Sequence, residues 1–191
     1  MALRARDKLL QDVNWALENG LPARDLVPML QHLLEQVEPE TAEALNAKRH
    51  LTELLVEADP WRAAGYARDV LRVEKDDRTY AMLALAHTLL GNFRAAANAY
   101  RSALSLRSDC AWYLHNLGHL LDVALERPED ALAYLRKAHL SAPDEREMAA
   151  SYAHALLRTK RDDEARAVLS GALDGPPEVD ALLARWSKAK R

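Results

Sequence analysis

The chain has 191 residues, 49% of them hydrophobic and 29% charged, which allows a sizeable core and excludes a disordered chain. Aromatics are only 6%, with a single Phe, and the dominance of Ala and Leu favours helix over sheet. A net charge of −3 removes any bulk electrostatic reason to expect nucleic acid as a partner, and a lone cysteine, Cys110, excludes an internal disulfide, as expected of a cytoplasmic protein.

The first segment, MALRARDKLLQDVNWALENG, has no apolar run of the kind a secretory signal needs. Asp7 and Asp12 come early, and Leu3, Leu10, Val13 and Leu17 fall on one helical stripe, so the segment reads as a structural helix. Asn19-Gly20 supplies its stop and Pro22 a restart. A second helix follows over about 23–37, and residues 1–40 form an N-terminal helical pair. Residues 41–76 read as a further pair around the Asp59-Pro60 turn. No apolar run approaches the roughly 18 residues of a transmembrane helix, so no membrane association is expected.

From residue 77 onward the chain repeats itself. Aligning TYAMLALAHTLLGNFRAAANAYRSALSLRS with the segments that begin at Trp112 and Met148 matches Leu83 with Leu117 and Tyr152, at spacings of 34 and 35 residues. The extra residue is expected in the turn around ERPED. A small residue follows each of these: Ala84, Gly118, Ala153. Further on, Ala96-Tyr100-Ala103, Ala131-Leu135-Ala138 and Ala165-Leu169-Ala172 repeat one small-large-small series. Two antiparallel helices pack closely only where a small residue on one meets a bulky residue on the other. Asp77, Asn92, Asp109, Pro128 and Asp162 stand where N-caps or first-turn residues belong.

The pattern resembles the tetratricopeptide repeat, a helix-turn-helix unit of 34 residues marked by large-x-x-Leu-Gly on its first helix and Ala/large/Ala/Pro on its second. Three units match, 77–110, 111–145 and 146–178. Residues 41–76 are similar to a degenerate fourth unit, in which Ala64 fits and Arg68 occupies the place of a large apolar residue. After Pro176-Pro177 come Val179, Leu182, Leu183 and Trp186, one apolar stripe suited to a capping helix. That helix and a basic tail, RWSKAKR, make up 179–191. The resemblance implies an all-α, right-handed superhelical solenoid of about eleven helices.

It also implies a binding groove lined by first helices, one that takes peptides or partner proteins. First-helix positions outside the core are Asn46, Arg49 and Glu53 in the degenerate unit and Arg78, Ala81, Leu85 and Thr88 in the next. Trp112, His115, His119 and Asp122 follow in the second clear unit, then Glu147, Ala150 and His154. Of these, Arg49, Arg78, Leu85, Trp112, His115, His119, Asp122, Glu147 and His154 are the expected partner contacts. The family's carboxylate clamp, with Lys and Asn on its first unit, is absent, since Ala81, Leu85, Glu147 and Ala150 hold those places. Trp112 and Leu85 instead suggest an apolar anchor.

His115, His119 and His154 could in principle share a metal, with Asp122 or Glu147 completing a zinc sphere. Polar contact with a ligand is the expected role, and neither a metal nor any cofactor is. His87 replaces a core aromatic, while His32, His50 and His139 need no role beyond their helix positions. There is no phosphate-binding glycine loop, nucleophile elbow or HExxH motif. A non-catalytic interaction scaffold is therefore the main reading. Its alternatives are a type III secretion-type chaperone, a metal-binding or enzyme-associated regulatory module, and a homodimer built through the N-terminal helices.

Overall fold

The computed structural model describes residues 2–172 and 175–189. Every regular element among them is helical: α1 (Ala2–Glu18), α2 (Ala23–Gln36), α3 (Ala42–Leu55), α4 (Pro60–Val73), α5 (Asp77–Leu89), α6 (Phe93–Leu106), α7 (Ala111–His119), α8 (Pro128–Ser141), α9 (Arg146–Arg158), α10 (Asp162–Ala172) and α11 (Pro176–Ala189). A π-helical turn, Leu120–Ala124, continues α7. The Leu3 side chain and most of the basic tail, from residue 187 on, lie outside the described side chains.

The chain divides into two compact units, 1–99 and 100–191, with the division inside α6. In the first unit α1 packs on α2, α2 on α3, and α3 on α4, while α5 lies against both α4 and α3. In the second, α7 packs on α8, α8 on α9, α9 on α10 and α10 on α11, and α7 also touches α9. First helices of successive repeats thus lie side by side within each unit.

The repeated positions are the core. Leu83, Leu117 and Tyr152 are buried, as are Ala84 and Ala153 beside them. All three small-large-small series are buried too, except for the terminal Ala172, which is half-buried. Gly118 shows why its position must be small. A Cβ there would lie 2.5 Å from Cγ of Leu135 and 3.2 Å from the Leu135 backbone nitrogen on α8.

Three expectations need correction. The degenerate repeat is displaced by one residue: Ala96, Ala131 and Ala165 are each the fourth residue of their helix, and the fourth residue of α4 is Ala63. Its packing series is Ala63-Ala67-Val70, all buried, and Arg68 is exposed rather than standing in a core position. Secondly, the extra residue of the second clear repeat is not in the ERPED turn. Residues 90–92, 125–127 and 159–161 connect the three pairs with equal length, and the π turn absorbs the insertion. There the Leu125 N–H reaches the Leu120 carbonyl at 3.0 Å, a bond spanning five residues where an α-helix spans four. Thirdly, Ala81 is buried, only 4% exposed, and is not open groove surface.

Helix starts follow the local chemistry to within a residue. Thr41, Asp59 and Asp76 accept backbone N–H bonds from Ala44, Arg62 and Thr79, which satisfies donors that a first turn leaves free. The cap of α5 is Asp76, not Asp77, and that of α7 is Cys110, without a side-chain bond. Pro128 opens α8.

Gly118 and Gly65 are both helical, yet they differ in surroundings, since nothing lies within 4 Å of a Cβ at Gly65. Gly118→Ala is expected to destabilise by about 1–3 kcal/mol through overpacking. Gly65→Ala should stabilise by roughly 0.5–1 kcal/mol through helix propensity. Urea denaturation of the two variants measures both signs.

Candidate functional site

In the second unit, α7, its π turn, α9 and α11 bring together most of the polar residues singled out from the sequence. Trp112 is half exposed, at 49%, and its ring meets the His115 ring edge-on at a centroid distance of 6.2 Å. His115 stacks in turn over His119 at 6.0 Å, one helical turn on. His115 is only 3% exposed, whereas His119 faces solvent.

Both imidazoles converge on Ser151 of α9. The Ser151 hydroxyl lies 2.9 Å from His115 Nε2 and 3.4 Å from His119 Nδ1. His115 Nδ1 is buried with no hydrogen-bond partner. The tautomer assigned from this network donates from Nε2 to Ser151, leaving only a lone pair at Nδ1. Protonation would bury an N–H without an acceptor, and burial accordingly lowers the His115 pKa below the usual histidine value, against an opposing pull from Glu147.

A second cluster forms at the π turn. Asp122 is 1% exposed. Its carboxylate accepts from His154 Nδ1 at 2.5 Å and from Arg158 at 3.0 Å, and Arg158 also donates to the Asp122 backbone carbonyl. A buried carboxylate is tolerable only with such compensation. On its far side the His154 ring meets Trp186 of α11 at 5.3 Å, nearly perpendicular. Asp122 therefore ties the π turn to α9, and His154 carries the contact on to the last helix. Val179 of that helix is buried and Leu182 and Leu183 are half-buried, as a capping stripe requires.

In the first unit the two expected arginines, Arg49 and Arg78, are engaged. Arg49 of α3 pairs with Glu74, lies 3.4 Å from Asp76 and donates to Asn46 at 3.1 Å, joining α3 to the α4–α5 turn. Arg78 is exposed and pairs with Glu53 at 2.7 Å. Leu85 is half-buried. On α5, burial and the nearby Arg68 charge lower the pKa of His87.

The structure thus separates the expected site residues into two groups. Trp112, His119, Glu147 and Arg78 present exposed surface, and Leu85 and His154 are partly exposed. His115 and Asp122 are buried within the unit and Arg49 braces helices, so these three are supports beneath a surface. The three histidines do not share one point: two meet at Ser151 and the third at Asp122. Among the described residues, no group of three His, Cys, Asp or Glu side chains is placed to hold a metal ion. Sequence reasoning missed Ser151, Arg158 and the partnership of Trp186 with His154. Arg158 had a legible signal, lying four residues after His154 on the same helix face.

The comparisons with known proteins agree with this fold. Family profiles described as tetratricopeptide repeat match residues 77–110 and 122–185. The chain belongs to the tetratricopeptide repeat family, whose helical repeats serve as protein-interaction scaffolds. Protein FlbA of Caulobacter vibrioides is 34% identical over 113 residues, which is 58% of this chain and 19% of FlbA, so the match spans about a fifth of that curated relative. A solved structure of MamA superposes with a TM-score of 0.75 at 16% identity, covering 91% of this chain and 96% of MamA. PilF of Pseudomonas aeruginosa gives 0.68 at 18% identity over 98% of this chain and 85% of its own. These last two share the fold. Among the described residues no helix is long and apolar enough to cross a membrane.

Two outcomes follow from the buried groups. Because the His115 pKa is lowered, the unfolded chain takes up its proton first as the pH falls. Its contribution is complete above about pH 6.5 and is lost below that value. The melting temperature of His115→Gln should therefore fall less between pH 7 and 5 than that of the natural chain. Asp122→Ala, which strips the acceptor from Arg158 and His154, should cost about 2–3 kcal/mol, read by urea denaturation. In Arg158→Ala the same change should cost less.

Proposed function

We propose that this chain is a non-catalytic scaffold that binds a protein or peptide along the exposed faces of its first helices, with Trp112 as the central anchor. The observation that carries this reading is the exposure of Trp112 amid a packed register. The repeat positions around it, Leu114, Leu117 and Leu121, are fully or nearly fully buried, so its ring is outside for a reason other than misfit. Exposed aromatics on rigid elements are the usual energetic centres of interfaces.

His119, Glu147 and His154 are further candidate contacts in the second unit, and Arg78 and Leu85 are candidate contacts in the first. The buried His115–Ser151 pair and the Asp122 cluster hold the surface in shape, so partner binding needs little reorganisation. A second reading draws on Trp15, which is 60% exposed on α1: two copies pair through their N-terminal helices.

Benzoylphenylalanine placed at position 112 should photocrosslink a partner in the cells of origin, and Trp112→Ala with His119→Ala should lose that partner at unchanged helicity. Crosslinking confined to position 15, with dimers in analytical ultracentrifugation that Trp15→Glu abolishes, would favour the second reading.

A further inference from the structure

The face of α4 opposite its packing series is unlike a solvated helix surface. Trp61 is 68% exposed, and Gly65, Arg68 and Arg72 continue its stripe at helical spacing. Arg62 and Tyr66 lie alongside, and Arg62, Gly65, Tyr66, Arg68, Asp69 and Arg72 line a shallow concavity of about 450 Å³. Val73, the last residue of α4, is 44% exposed. Trp, Tyr and Arg are the residue types that dominate the energetics of protein interfaces.

Gly65 sharpens the point. It sits inside a helix, where glycine is unfavourable, and an added Cβ there would meet nothing within 4 Å. Packing within the chain does not explain it. A bare stretch of helix backbone between arginines and aromatics lets another chain approach closely.

The charge selects the partner. Arg62 leans on Asp59 at 3.9 Å and Arg72 on Asp69 at 3.0 Å, and Lys48 also reaches Asp69, at 3.7 Å. Arg68 forms no ion pair among the described residues. On the α4 face three arginines thus stand against two carboxylates, one of them shared with the largely buried Lys48 of α3, on a chain that is negative as a whole. We propose that the outer face of α4 is a second docking surface, separate from the first-helix faces, for an acidic, leucine-bearing segment of a partner protein. Its glutamates pair with Arg62, Arg68 and Arg72, and its apolar side chains cover Trp61 and Tyr66 across the bare backbone of Gly65. From Trp61 to Arg72 the face spans about 16 Å, or three helical turns. A polynucleotide fits less well, because its closely spaced phosphates would meet Asp59 and Asp69, whereas separate peptide carboxylates can avoid them.

The test is an amide NMR titration of the isotope-labelled full chain with a 16-residue synthetic peptide bearing glutamate on one helical face and leucine on the other. The expected result is saturable shifts clustered over 61–73. Arg68→Glu combined with Arg72→Glu should weaken binding at least about tenfold, and Trp112→Ala should leave it unchanged. Gly65→Gln should raise the melting temperature while weakening the peptide, a pairing that loss of fold cannot produce. Several results would overturn the proposal: shifts centred elsewhere, indifference to the double charge reversal, or equal binding of a peptide with lysine in place of glutamate. Tighter binding of a single-stranded RNA oligomer to the same residues would do so as well.

Discussion

The approach of α7 to α8 at Gly118 is the contact on which the second unit depends. Leu135 fills the space that a side chain at position 118 would take, close enough that its own backbone nitrogen lies within van der Waals range of the missing Cβ. That closeness lets Leu117, Leu121 and Ala131 be fully buried around the pair. Ala84 and Ala153, the equivalent small residues, are likewise fully buried, and interior packing at native density leaves little room for variation in size at such positions. Once the spacing between helix axes is set this way, the side chains on the remaining helix faces are free of packing duty and available for recognition.

The π turn at Leu120–Ala124 shows how a single inserted residue is used. Placed in a loop, it would have left the helix unchanged. Placed in the helix, it widens one turn, and the Asp122 carboxylate is buried there with two cationic or polar partners from α9. Turns of this kind often occur at functional positions. Here the result is a polar bond between successive repeats, at the place where apolar packing alone would hold them. Charge-assisted bonds are directional, so Asp122, His154 and Arg158 fix one relative placement of α7 and α9, and Trp186 adds α11 to the same group.

Exposed and supporting side chains therefore interleave along one helix. Trp112 and His119 face outward, while His115 between them faces inward to Ser151. A residue chosen for polarity at a first-helix position can belong to either class, and its role follows from which neighbour satisfies its hydrogen-bonding groups. The α4 face makes the converse case. Its arginines lie on a second helix of the repeat, and the exposure of Arg68 follows from the one-residue displacement that puts Ala63, Ala67 and Val70 inside.

How much was legible beforehand divides along physical lines. The all-helical architecture and the tetratricopeptide repeat pattern could be read directly. Each rests on periodic burial and short-range steric rules that act between residues a few positions apart, and the sizes of Leu83, Ala84, Gly118 and Leu135 encode them locally. The position of the inserted residue, the burial of His115 and Asp122 and the true register of α4 could not. Each depends on which side chain of a neighbouring helix arrives opposite, a matter of distances between segments some 30 residues apart. By itself the sequence determined that helices of this size pack in this order. Only the tertiary structure decided which polar side chains hold those helices together and which stay exposed, because a buried hydrogen-bonding group finds its partner only where a neighbouring helix arrives opposite it.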